Sequence, residues 1–168
     1  MHAMLKKNVD SGFITEEQGN YIQEAIDNGE SLIVSGHRSS GVRVFMATCM
    51  AIAKGQYDSV QVKNEESIDK AAKYYLIPGL GDDVDFEAVI QKAFEQEGAS
   101  LVTLKEPEHP YSIMKIMKKG YKTTKDNSKV VTLLECRKID NVPYLINLTR
   151  MSYDENGKII KEDTPREF

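Results

Sequence analysis

One stretch constrains the fold of this chain more than any other: Ser31–Lys54, SLIVSGHRSSGVRVFMATCMAIAK. Leu32, Ile33 and Val34 form a short apolar run bounded by turn signals, the pattern of a strand buried on both faces. Gly36 and Gly41 then bound a turn, and an almost wholly apolar helical run follows. Strand, glycine-bounded turn and buried helix require a sheet covered by helices. The glycines stand in the frame G-x-x-x-x-G. In a working phosphate cradle Lys and Ser or Thr come next, to neutralise phosphate and to hold Mg²⁺. Here Val42 and Arg43 stand there, so the frame lacks both chemically active side chains.

The rest of the chain supports the same class. Thr15-Glu16-Glu17-Gln18 is a capping box that opens a helix to about Asp27, with Tyr21, Ile22, Ala25 and Ile26 as its apolar stripe. Asn28-Gly29 stops it. Residues 59–63 read as a strand and Glu66–Tyr75 as a helix. LIPGLGDDVD reads as a loop. Asp85 caps a helix with a stripe at Phe86, Val89, Ile90, Ala93 and Phe94. Ala99–Leu104 is an apolar strand. The following helix carries Ile113, Met114, Ile116 and Met117, with Gly120 closing it and Lys115, Lys118 and Lys119 near its negative end. Strand-like runs over Val130–Arg137 and Tyr144–Tyr153 join at Asp140-Asn141. Asn156-Gly157 turns into a short strand at Lys158–Lys161. The expected fold is α/β, a mostly parallel sheet with antiparallel C-terminal hairpins. It is read as a single domain over 1–168, with 1–13 a flexible lead-in and 163–168 a frayed tail.

Charge and composition narrow the function. The net charge is −4, which gives no reason to expect nucleic acid as a partner. No apolar run approaches the ~20 residues of a membrane helix, and the first residues lack a signal-peptide core, so a cytoplasmic location is expected. Cys49 and Cys136 have no metal-type spacing and read as two buried free thiols. Asp82, Asp83 and Asp85 lack the spacing of a calcium loop, and no metal site is expected.

The order of elements resembles the secretion and pilus-assembly ATPases of type II and type IV systems, over residues 14 to 162. ITEEQGNYIQEAIDNGESLIVSG at 14–36 is similar to the entry to their core. Lys63-Asn64-Glu65-Glu66 falls at the place of their acidic box. DFEAVIQKAFEQEGASLVTLKEPEHPYSIMKIMKKG at 85–120 resembles their helix, Walker B strand, Pro-Glu turn and Gly-ended helix. The resemblance implies a P-loop NTPase-like (RecA-like) three-layer domain. It implies a nucleotide or phosphate site at Gly36, His37, Arg38, Ser39, Ser40, Gly41, Val42 and Arg43, for ATP or phosphate. It also implies protein partners in a secretion or type IV pilus assembly, and a homo-oligomer.

The departures fall on the chemistry. Val42 and Arg43 replace the P-loop Lys and the Mg²⁺ ligand. Thr103-Leu104 takes the place of the Walker B Gly-Glu, and Glu106 substitutes as a catalytic residue only if the turn is shifted. The segment Tyr121–Lys129 is too short for the family's His-containing region, and its N-terminal domain is missing. Phosphoryl transfer depends on positioning and charge neutralisation, so the expected protein is a pseudoenzyme acting as a binding or assembly module. The alternative is a nucleotide-binding NTPase that uses Arg38 or Arg43 in place of Lys. Arg43 is also read as a partner for an acid such as Glu65 or Glu66, Glu106 and Glu108 as helix-start acids, and the Lys115–Lys125 cluster as a solvated face.

Overall fold

A computed structural model describes all residues, 1–168. Seven strands form one sheet in the order β2-β3-β4-β1-β5-β6-β7. They are β1 Ser31–Ser35, β2 Ser59–Gln61, β3 Tyr74–Ile77, β4 Ser100–Lys105, β5 Val131–Ile139, β6 Val142–Tyr153 and β7 Ile159–Pro165. The first five are parallel neighbours, while β5, β6 and β7 run antiparallel. This is the expected α/β class with a mixed sheet. β1 lies at its centre, pairing Leu32 with Val102 on one side and with Thr132 on the other.

Five helices cover both faces: α1 Ala3–Asp10, α2 Glu16–Asp27, α3 Val42–Gln56, α4 Phe86–Phe94 and α5 Ile113–Thr124. Tyr21 of α2 bonds the Thr132 hydroxyl, while the Tyr153 hydroxyl donates to the Met117 carbonyl of α5. Thr132 and Tyr153 lie on opposite sides of the β5–β6 pairing, so α2 and α5 are in opposite layers. The core between them is a continuous apolar cluster containing Ile22, Leu32, Phe45, Tyr74, Val102 and Met117. The Thr15–Gln18 capping box and the Asp85 cap form as the sequence predicts. Asp140 and Asn141 both take positive φ, the geometry of a tight hairpin turn. Cys49 and Cys136 are buried free thiols, and burial pushes the Cys136 thiol up to about 12.

Several elements differ from expectation. The helix expected over Glu66–Tyr75 is a single 3-10 turn, Glu65–Asp69, capped by Asn64. Tyr74–Ile77 is instead a strand buried on both faces between β2 and β4. A four-residue apolar run carries no period that separates strand from helix. Gly120 does not close α5, which continues to Thr124. A Cβ at Gly120 would lie 2.5 Å from the Phe94 ring, so this glycine lets α4 and α5 approach. α3 is not buried all round: Val44 is 75% exposed, and Ala47 and Ala51 are exposed along the same face.

The ends of the chain are tied together. The expected lead-in contains α1, with Leu5 fully buried. The expected frayed tail completes β7 through Pro165. Beyond it, the Arg166 guanidinium donates to the Phe13 and Gly12 carbonyls at 2.9 and 3.1 Å and stacks against Tyr144 and Phe168.

Candidate functional site

The carboxyl ends of β1, β4 and β5 converge where the chain turns into α3. Gly36 takes φ 138, and a Cβ there would meet the Cys136 carbonyl at 2.5 Å. Only glycine permits both the dihedral and the close approach. Its amide donates to the Lys105 carbonyl at 3.1 Å. Arg38–Ser40 is one 3-10 turn. The Ser40 amide and hydroxyl both donate to the His37 carbonyl, at 2.9 and 2.6 Å. Gly41 takes φ 84 and leads into α3. The amide of His37 has no backbone acceptor, and with the start of a 15-residue helix it forms an electropositive turn.

The expected site residues divide at this point. Val42 is fully buried in the core and presents nothing to the loop. Arg43 turns toward β4. Its Nε donates to Glu106 Oε2 at 3.1 Å and its Nη2 to Oε1 at 2.8 Å. This is the two-pronged geometry for which guanidinium suits carboxylate. The Glu106 side chain is fully buried and that of Arg43 is 38% exposed. The bond to Glu106 holds the guanidinium protonated even more firmly than usual. Arg43 therefore has the acid partner that its charge predicts, but the partner is Glu106 rather than Glu65 or Glu66. Glu106 is no helix-start acid either, since α5 opens at Ile113 behind its Ser112 cap.

His109 completes this half of the site. Its amide donates to the Glu106 carbonyl at 2.9 Å. Its Nδ1 lies 3.7 Å from Glu106 Oε1 and is buried without a hydrogen-bond partner. Its Nε2 lies 3.2 Å from the Leu80 carbonyl, and its ring packs on Phe86 with centroids 4.8 Å apart. Gly79 sits against both Arg43 and His109, where a Cβ would be 3.0 and 3.2 Å from their atoms. The LIPGLGDDVD loop thus lies over the ion pair.

The other half is open. A cleft of about 410 Å³ joins Gly36, His37, Ser39 and Ser40 to Glu135, Cys136, Arg137 and Lys138 of β5. Arg38 does not line it. The parallel register pairs Ser35 with Glu135, which carries Arg137 and Lys138 past the end of β1. Sequence reasoning missed these two cations. The signal would have been the adjacency of β5 to β1, which no local pattern carries. A larger depression, about 700 Å³, lies between the start of α2 and the ends of β6 and β7, away from these groups. No group of three or more His, Cys, Asp or Glu side chains converges to hold a metal ion.

Comparison with protein-family models gives no match for this chain, and a search of characterised proteins gives none.

Proposed function

We propose that this protein is a non-hydrolysing relative of the secretion and pilus-assembly ATPases that works as a binding or assembly module. One observation carries the reading, the Arg43–Glu106 pair. In a hydrolysing site the first of these positions would offer a hydroxyl to Mg²⁺, and a nearby acid would act on water. Here a guanidinium stands at the first position and binds the buried Glu106 carboxylate just after β4. A cation fixed there repels Mg²⁺, and an acid held by two hydrogen bonds is not free to take a proton. Val42, buried in the core, leaves the phosphate-neutralising position empty of charge.

The open half of the site supports retained anion binding. The free amide of His37 lines one cleft with Arg137, Lys138 and Glu135, the two cations being consecutive on β5. Phosphate or a nucleotide phosphate is the chemistry that fits. Because Arg43 is held by Glu106, the alternative of an active site using Arg43 in place of Lys loses that residue.

Two measurements test this reading. Steady ATP turnover with Mg²⁺ should stay at background in the wild-type protein; turnover abolished by Glu106→Gln would sink the proposal. Calorimetry with phosphate and ATP at millimolar concentration should give heat that Arg137→Gln with Lys138→Gln removes. No heat in the wild type would leave a module without an anion site.

A further inference from the structure

We infer that the outer face of α5 is a docking surface for a short acidic segment of a partner protein. α5 is IMKIMKKGYKTT and contains no acidic residue. Lys115, Lys118, Lys119 and Lys122 are all exposed, while Ile113, Ile116, Met117 and Gly120 are buried. At about 100° per residue the four lysines fall within an arc of about 100° opposite the buried stripe. Lys125 extends the row at the end of the helix, making it about 15 Å long at ~1.5 Å per residue.

Lys125 lies over the Tyr121 ring, but nothing inside the protein accounts for the four helical lysines. The ion pairs of the molecule are Arg43–Glu106 and Lys92–Asp69, and neither involves α5. The helix dipole does not account for them either. A helix closing at Gly120 would place Lys115, Lys118 and Lys119 near its negative end. The helix runs on to Thr124, and only Lys122 stands in the last turn. Lys115 is the third helical residue, beside the positive end, where Glu or Gln would complete the Ser112 cap. Lys115–Lys118, Lys115–Lys119, Lys118–Lys122 and Lys119–Lys122 are like-charge neighbours at helical spacing, each one destabilising. The chain therefore keeps a repulsive, uncompensated cationic face on a protein of net charge −4.

The surroundings choose the partner. A bilayer or a long nucleic acid would also meet Glu87 of α4, which packs on α5, Glu95 at the C-terminal cap of α4, and Glu65 and Glu66 of the turn beside α4. These acids repel an extended polyanion. The apolar stripe of α5 faces the core and has nothing to insert into lipid. A short segment with carboxylates one helical turn apart meets the lysines alone.

The test uses fluorescence anisotropy of a labelled helical peptide carrying Glu at i, i+3, i+4 and i+7, with the full-length protein. The comparison variants are Lys115→Gln/Lys118→Gln/Lys122→Gln on α5 and Lys6→Gln/Lys7→Gln/Lys54→Gln elsewhere. Saturable binding that weakens with salt is expected, about tenfold weaker in the α5 variant and unchanged in the other. The α5 variant should melt at the wild-type temperature or above it. The inference is overturned by equal weakening in both variants, by no saturable binding, or by a lower melting temperature in the α5 variant. Tighter binding of single-stranded DNA or of phosphatidylserine vesicles than of the peptide overturns it too.

Discussion

Two partly buried cations sit at opposite ends of the central sheet, and they are held in different ways. At the carboxyl ends of the strands, Arg43 meets a buried carboxylate with two hydrogen bonds. At the other end, Lys129 Nζ donates to three neutral acceptors, the carbonyls of Phe94, Gln96 and Ala99, at 2.6, 2.6 and 2.9 Å. The first is a charge pair, and the second is an ammonium without a counter-charge in contact. Their proton affinities move in opposite directions. The bond to Glu106 raises that of Arg43, while burial pulls Lys129 down to about 8, Asp126 opposing and Lys73 adding to the fall. The difference separates roles. Lys129 staples the turn after α4 to the entry of β5. Arg43 staples too, and in doing so occupies both oxygens of the Glu106 carboxylate.

Removing one cation at a time should break the comparison most sharply. Arg43→Met leaves the Glu106 carboxylate buried and unpaired, and should cost about 3 kcal/mol, read from urea unfolding. Adding Glu106→Gln should recover most of that loss, because the stranded charge goes with it. Lys129→Met strands only neutral carbonyls, and should cost about 2 kcal/mol with no acid partner whose removal restores it.

pH sharpens the contrast further. Below about 8 the Lys129 ammonium is charged in the folded and unfolded states alike, and its burial cost is fully present. Between 8 and the ordinary lysine value of about 10.4 the unfolded chain holds the proton more tightly than the folded one. Stability from this group therefore rises with pH across that window. The stability of wild type relative to Lys129→Met should climb from pH 8 to 10. The same difference for Arg43→Met should stay flat, since guanidinium does not titrate there. Equal slopes for the two variants would refute the distinction.

The smallest effect belongs to the open cleft. Arg137→Gln with Lys138→Gln should change stability by less than about 0.5 kcal/mol while removing anion binding. A large loss of stability would make those cations structural and bring the cleft closer in kind to the Lys129 cradle.

How much of this was legible in the sequence follows from where each signal lies. α2, α4 and the Asp140-Asn141 turn rest on caps and turn chemistry within a few residues, and they form as read. β3 rests on neighbours supplied by distant strands, and its four apolar residues do not distinguish strand from helix. Gly120 has the residue type of a helix stop and the role of a helix contact, because Phe94 of another helix occupies its side-chain space. The site shows the same division. That Arg43 seeks an acid is a property of its charge. That the acid is Glu106 follows from the pairing of Ser35 with Lys105, which exists only once β4 lies beside β1. Arg137 and Lys138 likewise reach the loop through β5.

The central place of β1 also has a consequence in time. Its first hydrogen-bonded partner, β4, is 70 residues later, Leu32 meeting Val102, and its second, β5, is 100 residues later, Leu32 meeting Thr132. At roughly 5–20 residues per second of synthesis, about 4–14 s pass before β1 can pair at all. Through that interval an apolar strand with both edges open waits, with α2 and α3 already complete on either side of it in the chain. Those two helices are the only finished elements long enough to cover it. Substitutions that weaken their apolar faces, which also belong to the finished core, would then act on yield as well as on stability.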